Sequence, residues 1–523
     1  MVLSEAGSSR QRSSHEAGSS RQRSSREAPE PIQHVDVLII GAGISGIGAA
    51  YYLQKNNPDK TYTILEARDT TGGTWDLFRY PGIRSDSDLH TFGYEFKPWR
   101  DEHAIASGDK ILSYLRQTAA ENAIDPHIRF HHKVLGAAWS SADARWLVDV
   151  ERTDTGQHVQ IAAAWIFCAG GYYRYDEGYT PHFEGRERFK GQIVHPQHWP
   201  ADLDYAGKKI VVIGSGATAV TLVPALAETA GHVTMLQRSP TYVIPLPAKD
   251  PIANALRKVF GDERGYALAR RKNVRQQRLV YQLCQRYPRA ARRVIRRLNA
   301  KRLPAGYPVD KHFNPAYNPW DQRLCVVPNG DLFTAIRDGR ASVVTDRIET
   351  FTEKGILLES GWELEADIIV TATGLNVQAF GGISLTVDGE PVTWRDTVAY
   401  KGMMLSGVPN YAFAIGYTNS SWTLKVGLVC EQLCRMLSYM DAHGYDTVRP
   451  DLTDAEMATR PLLDFGAGYV QRAIDKLPRQ GAAQPWLQSM NYDADVALLR
   501  KSPVADEHLR FATAARDRVA VPA

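Results

Sequence analysis

The sequence predicts an α/β protein in which one parallel-sheet unit is set inside another. Three observations predict it. A buried-strand run leads into a glycine turn at residues 35–53, a second unit of the same form occupies 209–220, and an arginine-rich helical stretch is inserted after the second. Length agrees, since 523 residues exceed what one core ordinarily holds.

The totals exclude several classes. A hydrophobic fraction of 44% and a charged fraction of 23% are those of a globular chain. A net charge of +4 is too mild to argue for a nucleic-acid partner. The five cysteines are odd in number and scattered without a C-x-x-C, which argues against a disulfide framework or a zinc site. No metal is expected, and the thiols fit a reducing cytoplasm. Cys430 and Cys434 read as a pair of small buried thiols. Residues 5–15 recur almost unchanged at 16–26, nearly without apolar side chains, so the tail 1–32 is expected to be disordered. It lacks the apolar stretch of a secretory signal. Residues 35–53 have the hydropathy of a short membrane span, but Asp36 and four glycines interrupt them, and no transmembrane segment is expected.

The strand at 35–40 is followed by Gly41-Ala-Gly43-Ile-Ser45-Gly46 and then a helical run. Gly41 permits a tight turn, Gly43 lets a pyrophosphate approach the backbone, and Gly46 allows the helix to pack on the strand. Phosphates would then sit at a helix N-terminus, where N–H groups and the dipole favour anions. The next strand, 61–66, ends in Glu66, 20 positions after Gly46, the distance at which a carboxylate meets a ribose hydroxyl. Strand, turn, helix, strand and acid in this order predict a Rossmann-like dinucleotide site with Glu66 as ribose ligand. Residues 72–86 follow, Gly-Gly-Thr-Trp-Asp-Leu-Phe-Arg-Tyr-Pro-Gly-Ile-Arg-Ser-Asp, a segment suited to lie against a flat ring. By themselves Asp86 and Asp88 read as solvated loop acids. Further on, a helix is expected over 108–122 and a strand over 128–134. A hairpin pairs 146–150 with 159–161, and a short apolar strand covers 164–171. His131 and His132 read as strand histidines, having no third ligand nearby.

The second unit repeats the form: a strand from Lys209, then Gly214-Ser215-Gly216-Ala217-Thr218-Ala219, then a strand over 232–239. Aligning strand ends puts Gln237 where the first unit has Glu66, with Arg238 and Ser239 next. A carboxylate there would repel a 2′-phosphate; glutamine accepts one and Arg238 can clamp it. One acidic and one basic ribose site imply two dinucleotides, FAD in the first and NADPH in the second. No redox C-x-x-x-x-C follows the first motif, which excludes a disulfide reductase and leaves molecular oxygen as electron acceptor.

Between the units lies F-x-G-x-x-x-H-x-x-x-W-P, formed by Phe189, Gly191, His195, Trp199 and Pro200. By position it is a domain linker, with His195 a hinge hydrogen-bonder. The expected division is a tail at 1–32, a first FAD-binding part at 33–176, an NADPH-binding part at 177–373 with a helical insertion at about 245–305, and a second FAD-binding part with the C-terminal region at 374–523. The insertion is expected to form amphipathic helices with a solvated basic face roofing the substrate pocket, or alternatively a peripheral seat on anionic lipid at the inner face of the membrane.

The linker motif resembles the fingerprint of Baeyer–Villiger flavin monooxygenases, and residues 72–86 resemble that family's second signature. The run 311–325 is similar to the subgroup of mycobacterial ethionamide-activating monooxygenases. Blocks at 366–374 and 408–419 resemble the family as well, so the likeness spans 35 to about 437. It implies FAD contacts for Ser45, Glu66, Thr74, Trp75, Asp76, Leu77, Asp86 and Val134. NADPH contacts are implied for Arg84, Ser85, residues 214–219, Arg238 and Ser239. Arg323 matches the family's active-site arginine, with Asp86 orienting it: a fixed positive charge suited to a developing oxyanion. Many members carry lysine just before that arginine where this chain has Gln322, which shifts 2′-phosphate recognition towards Arg238. The implied activity is insertion of one oxygen atom of O2 beside a ketone carbonyl, giving an ester or lactone, with sulfide or thioamide oxidation as a further outcome. The alternatives are an N- or S-oxygenating flavin monooxygenase and a non-catalytic nucleotide-bound protein.

Overall fold

The computed structural model describes residues 32–514 apart from 323, 455 and 465. The tail expected to be disordered lies outside them but for Ile32, and so does Arg323.

The apolar run of β1 (Gln33–Ile40) is buried on both faces because it is central and parallel. It pairs with β2 (Tyr62–Leu65) on one side and β6 (His158–Cys168) on the other. The chain leaves β1 through Gly41 at φ +99°, where an added Cβ would stand 2.8 Å from the Ala169 carbonyl oxygen beyond β6. Only glycine makes that turn, and it feeds α1 (Ile44–Asn56). Helices α2 (Thr74–Leu77), α3 (Leu89–Phe92) and α4 (Gly108–Glu121) follow.

The expected strand over 128–134 is in fact two. Strand β3 (Ile128–Arg129) lies parallel to β2, His131 turns the chain at φ +58°, and β4 (His132–Ser140) runs antiparallel to β5 (Arg145–Arg152). The hairpin partner of β5 and the apolar run at 164–171 prove to be one strand, β6: Val148 faces Ile161 while Val35 faces Ala163.

The second unit begins after β7 (Tyr173–Gly178). Part of the expected linker is strand β8 (Gln192–Val194), at the edge of a five-stranded parallel sheet. That sheet has β9 (Lys209–Ile213), which leads to α5 (Ala217–Leu226), and β10 (His232–Gln237). Strand β11 (Tyr242–Leu246) precedes the expected helical insertion, α6 (Pro251–Arg286) and α7 (Pro288–Ala300). Gly261, at φ +78°, breaks α6 near its start. Then come α8 (Val309–His312), β12 (Leu324–Pro328) paired with β11, α9 (Asp331–Arg337) and β13 (Ala341–Thr345). A three-stranded antiparallel sheet follows: β14 (Ile348–Phe351), β15 (Gly355–Leu358) and β16 (Glu363–Glu365). Strand β17 (Ile368–Thr371) completes the smaller sheet, in the order β13-β10-β9-β17-β8.

The chain then returns. Strand β18 (Leu375–Val377) pairs with β7, so the outgoing and returning crossings form one ribbon. Strand β19 (Ser384–Val387) joins β4 and is paired in turn by β20 (Glu390–Pro391). The short pair β21 (Ala399–Tyr400) and β22 (Met404–Leu405) precedes β23 (Tyr411–Phe413), which docks on β6. Helix α10 (Trp422–His443) closes the core over α1, burying Leu433 and Leu437 with Ala49 and Leu53. Each such leucine contributes about 1.5–3 kcal/mol. Cys430 and Cys434 sit in this seam as buried free thiols. Among the described residues no helix is long and apolar enough to cross a membrane.

Candidate functional site

The first glycine turn ends in an uncapped helix. Gly43 occupies the N-cap of α1, no side chain accepts from its first turn, and no acidic residue stands there. An added Cβ on Gly43 would stand 3.7 Å from the Cα of Gly73, so the two loops face each other without side chains between them. Glu66 is buried, and its carboxylate accepts from the Ala42 amide at 2.8 Å and the Arg68 amide at 3.1 Å. Burial pushes its pKa above the usual carboxylate value, while those amides pull it back. Ser45 accepts a hydrogen bond from the Trp422 indole at 3.0 Å, and that indole stacks on Tyr172. Thr74 lies 3.4 Å from the Tyr175 hydroxyl, and Trp75 packs edge-on against Phe92. This is a cradle of backbone donors, one buried acid and flanking aromatics, and it fits a dinucleotide such as FAD.

Three side chains of the expected FAD set have partners within the protein, which leaves open the backbone contact expected of Val134. Asp76 is almost wholly buried and pairs with Arg68 at 2.5 Å, Arg79 at 3.1 Å and Arg116 at 3.2 Å. Leu77 packs against the core of the smaller sheet, and Val134 sits in the larger one.

The second turn repeats the first in detail. Gly214, at φ +139°, would place a Cβ 2.4 Å from the Ala372 carbonyl oxygen past the end of β17, as Gly41 does against Ala169. Gly216 caps α5 with no side-chain acceptor and no acid in the first turn, leaving the 217–219 amides towards an anion. Ser215 bonds the Thr241 hydroxyl at 2.8 Å and donates to the Ser239 carbonyl at 3.2 Å. Gly41 N–H bonds Leu65 and Gly214 N–H bonds Leu236, so Glu66 and Gln237 do correspond. Their side chains behave differently. The buried Gln237 amide donates to the Thr345 hydroxyl and the His312 carbonyl, both at 2.8 Å, which corrects the expectation that it meets a 2′-phosphate. Arg238 and Ser239 are exposed just beyond it.

Residues 77–86 join the two turns. Phe78 and Tyr80 are buried with Val220 and Val223 of α5. Burial pushes the Tyr80 hydroxyl up to about 12, opposed by its hydrogen bond with Thr218 in the second glycine loop. Arg84, expected at the nicotinamide, pairs with Asp331 at the start of α9 at 2.5 Å. The Ser85 amide donates to the Ala106 carbonyl, and its hydroxyl donates to the Ser87 carbonyl. Asp86 is half-buried two residues from that ion pair. Asp88 is no solvated acid: it caps α3 and accepts from Asn273 and Gln277 of α6. Arg323 itself lies outside the described residues; the next residue, Leu324, opens β12 opposite Tyr242.

The linker motif grips the ribbon of crossings. Phe189 is buried against Val211 and Phe351, and Trp199 packs on the smaller core edge-on to Tyr205. Pro200 is exposed, and Gly191 lies against the Asp367 carbonyl and the Phe189 ring. His195 accepts from the Gln197 amide at 3.2 Å and lies against Gly178, where an added Cβ would come within 1.9 Å of its ring. Gln197 and His198 donate to β7 carbonyls. Sequence reasoning passed over Gln197, Tyr175, Arg68 and Asp331.

The flavin-binding monooxygenase-like family model matches residues 34–381. FAD-containing monooxygenase EthA of Mycobacterium tuberculosis is 56% identical over 481 residues, covering 92% of this chain and 98% of that protein. An oxidized steroid monooxygenase bound to NADP has a similar structure, with TM-score 0.73, 23% identity and coverage of 92% of this chain and 100% of that one. The open structure of cyclohexanone monooxygenase gives TM-score 0.72 at 21% identity, again over 92% and 100% of the two chains. The two solved structures share the fold. With more than half of its length in the family model and a close relative spanning nearly all of it, this chain belongs to the flavin-binding monooxygenase-like family.

Proposed function

We propose that the protein is an FAD- and NADPH-dependent Baeyer–Villiger monooxygenase that converts a small-molecule ketone to an ester or lactone. What carries this reading is the segment 74–86, which starts beside the first glycine turn at Gly73 and meets the second midway, through Tyr80 at Thr218. Groups bound at the two turns would meet along it. Bound FAD, reduced by NADPH, supplies the oxygen activation. The chain's own residues do the rest: Glu66 takes the ribose hydroxyls, α1 and α5 present their N-termini to phosphates, and Arg238 holds the 2′-phosphate. Arg323, oriented by Asp86, supplies the fixed positive charge that stabilises the oxyanion formed from the carbonyl. Cyclohexanone monooxygenase, which shares this fold, is named for a ketone, and this supports the ketone class here.

The same reading divides the chain at 33–176, 177–373 and 374–523. The ribbon of β7 and β18 supports those boundaries, since both crossings run through it. It makes the linker motif a hinge, with His195 between the crossings. It also carries a cytoplasmic location, supported by five buried cysteines outside any disulfide.

The test is product analysis of the FAD-loaded enzyme with NADPH, O2 and, side by side, a cyclic ketone, a linear ketone and a sulfide. Ester or lactone formation is expected. Sulfoxide alone would assign the protein to N- or S-oxygenation instead, and no NADPH oxidation or O2 uptake would leave a nucleotide-bound protein without catalysis.

A further inference from the structure

We propose that the outer face of α6 and α7 seats this enzyme on a membrane surface rich in anionic phospholipid. Two independent features of the same 50 residues point there. The first is charge. Residues 251–300 hold fourteen Lys and Arg against two Asp and Glu, a net +12 in a chain whose total is +4, so the remainder is −8. The second is apolar exposure. Of the twelve large hydrophobic side chains exposed among the described residues, nine lie in this stretch. Val259 is 73% exposed and Phe260 51%, at the corner made by Gly261. Leu279, Leu283, Tyr287 and Val294 continue the exposure along α6 and into α7.

The inner face shows why the outer one is left over. Arg270 is buried and donates to the carbonyls of His90, Thr91 and Gly93, and Tyr266 donates to that of Tyr94. Asn273 and Gln277 reach Asp88. These bonds clamp α6 to α3 and fix which side points away. Some cations on that side are neutralised locally, Lys272 by Asp250 and Arg296 by Asp310. Arg271, Arg275, Arg289, Arg293 and Arg297 are exposed without an acidic partner among the described residues. Arginine stems of this length can lie along apolar surface while the guanidinium groups reach lipid headgroups, as on an interfacial helix. Concentrated positive charge opposes face-to-face pairing of two copies, which argues against self-association as the occupant.

The experiment is co-sedimentation of the full-length, FAD-loaded enzyme with phosphatidylglycerol–phosphatidylcholine vesicles and with phosphatidylcholine vesicles. Partitioning at least tenfold stronger on the anionic vesicles, released by raised salt, is expected. Equal partitioning, or retention on anionic vesicles at high salt, overturns the proposal. Each surface cation strengthens such binding about fivefold, so R271Q/R275Q/R293Q/R297Q should weaken it on the order of 600-fold. V259S/F260S/L279S/L283S should weaken it too, with thermal unfolding and NADPH oxidation unchanged in both variants. If both bind as wild type, if removal of residues 2–30 abolishes binding, or if the second variant instead breaks a dimer in sedimentation, the membrane assignment is wrong.

Discussion

Gln197, inside the linker motif, donates through Nε2 to the carbonyl of Tyr175 at 2.9 Å and to that of Arg174 at 3.0 Å. The Tyr175 hydroxyl in turn stands 3.4 Å from Thr74, at the first glycine turn. The motif therefore touches the first nucleotide cradle through one strand, β7. Gln197 is 2% exposed, and removing its amide takes the donor from two carbonyls of β7, at a cost of about 0.5–1.5 kcal/mol per bond. Gln197→Leu should lower the urea unfolding midpoint and speed FAD release, followed by flavin fluorescence. Unchanged FAD release would cut the link from motif to cradle.

His195 and Gly178 test the hinge from the other side. Gly178→Ala sets a Cβ against the His195 ring and should destabilise strongly; His195→Ala removes the ring and relieves the clash. The double variant should then be more stable than the sum of the singles predicts, by about 0.5–3 kcal/mol, as for residues in contact. Additive unfolding energies would show that ring and glycine do not meet.

Asp76 is predicted to matter for folding before it matters for FAD. Its carboxylate, 1% exposed, balances Arg68, Arg79 and Arg116. Asp76→Asn would leave those cations without their shared anion and should cost about 2–3 kcal/mol, discounted because the arginines are partly exposed. Chemical denaturation measures it. A loss of FAD affinity at unchanged stability would restore Asp76 to the cofactor set.

What was legible in the sequence was local. Gly41, Gly46 and Glu66 act within one strand–helix–strand unit, and the Glu66 bond to the Ala42 amide spans only 24 residues. Strand β8 was read as linker because its partner is far downstream, Gln192 facing Ile368. Arg270 looked like one more cation on a basic helix because its partners are backbone carbonyls, which carry no residue signature. The arginines around Asp76 come from three separate segments. Gln237 held the expected position, but its side chain turned to Thr345 on the neighbouring strand β13, a choice set by packing across the sheet.

That same region carries a pH prediction. Burial, with a smaller contribution from Lys311, holds the pKa of His312 down to about 4, and its Nδ1 contacts the Thr345 hydroxyl at 2.7 Å. The ordinary histidine value is about 6.5, so between the two the unfolded chain binds more protons than the folded one. Stability should rise with pH through that window. The contribution is complete above pH about 6.5 and is lost as pH falls towards 4, a difference of about 3 kcal/mol. His312→Gln should flatten the slope of unfolding free energy between pH 4 and 6.5. An unchanged slope would assign the acid sensitivity to other groups.

With Gln237 turned inward, the proposed function puts selection of NADPH over NADH on Arg238. It is exposed beside Ser239, and Ser215 ties the Ser239 carbonyl to the second glycine loop, which fixes the strand end from which the guanidinium projects. A guanidinium on a phosphate forms charge-assisted hydrogen bonds worth about 1.5–3 kcal/mol. Arg238→Ala should therefore raise KM for NADPH roughly 10- to 100-fold while KM for NADH changes little. The kcat for NADPH should hold, because the interaction binds ground and transition states alike. Parallel rises in both KM values would mean that Arg238 shapes the loop and does not read the 2′-phosphate, and selectivity would then have to come from another cation.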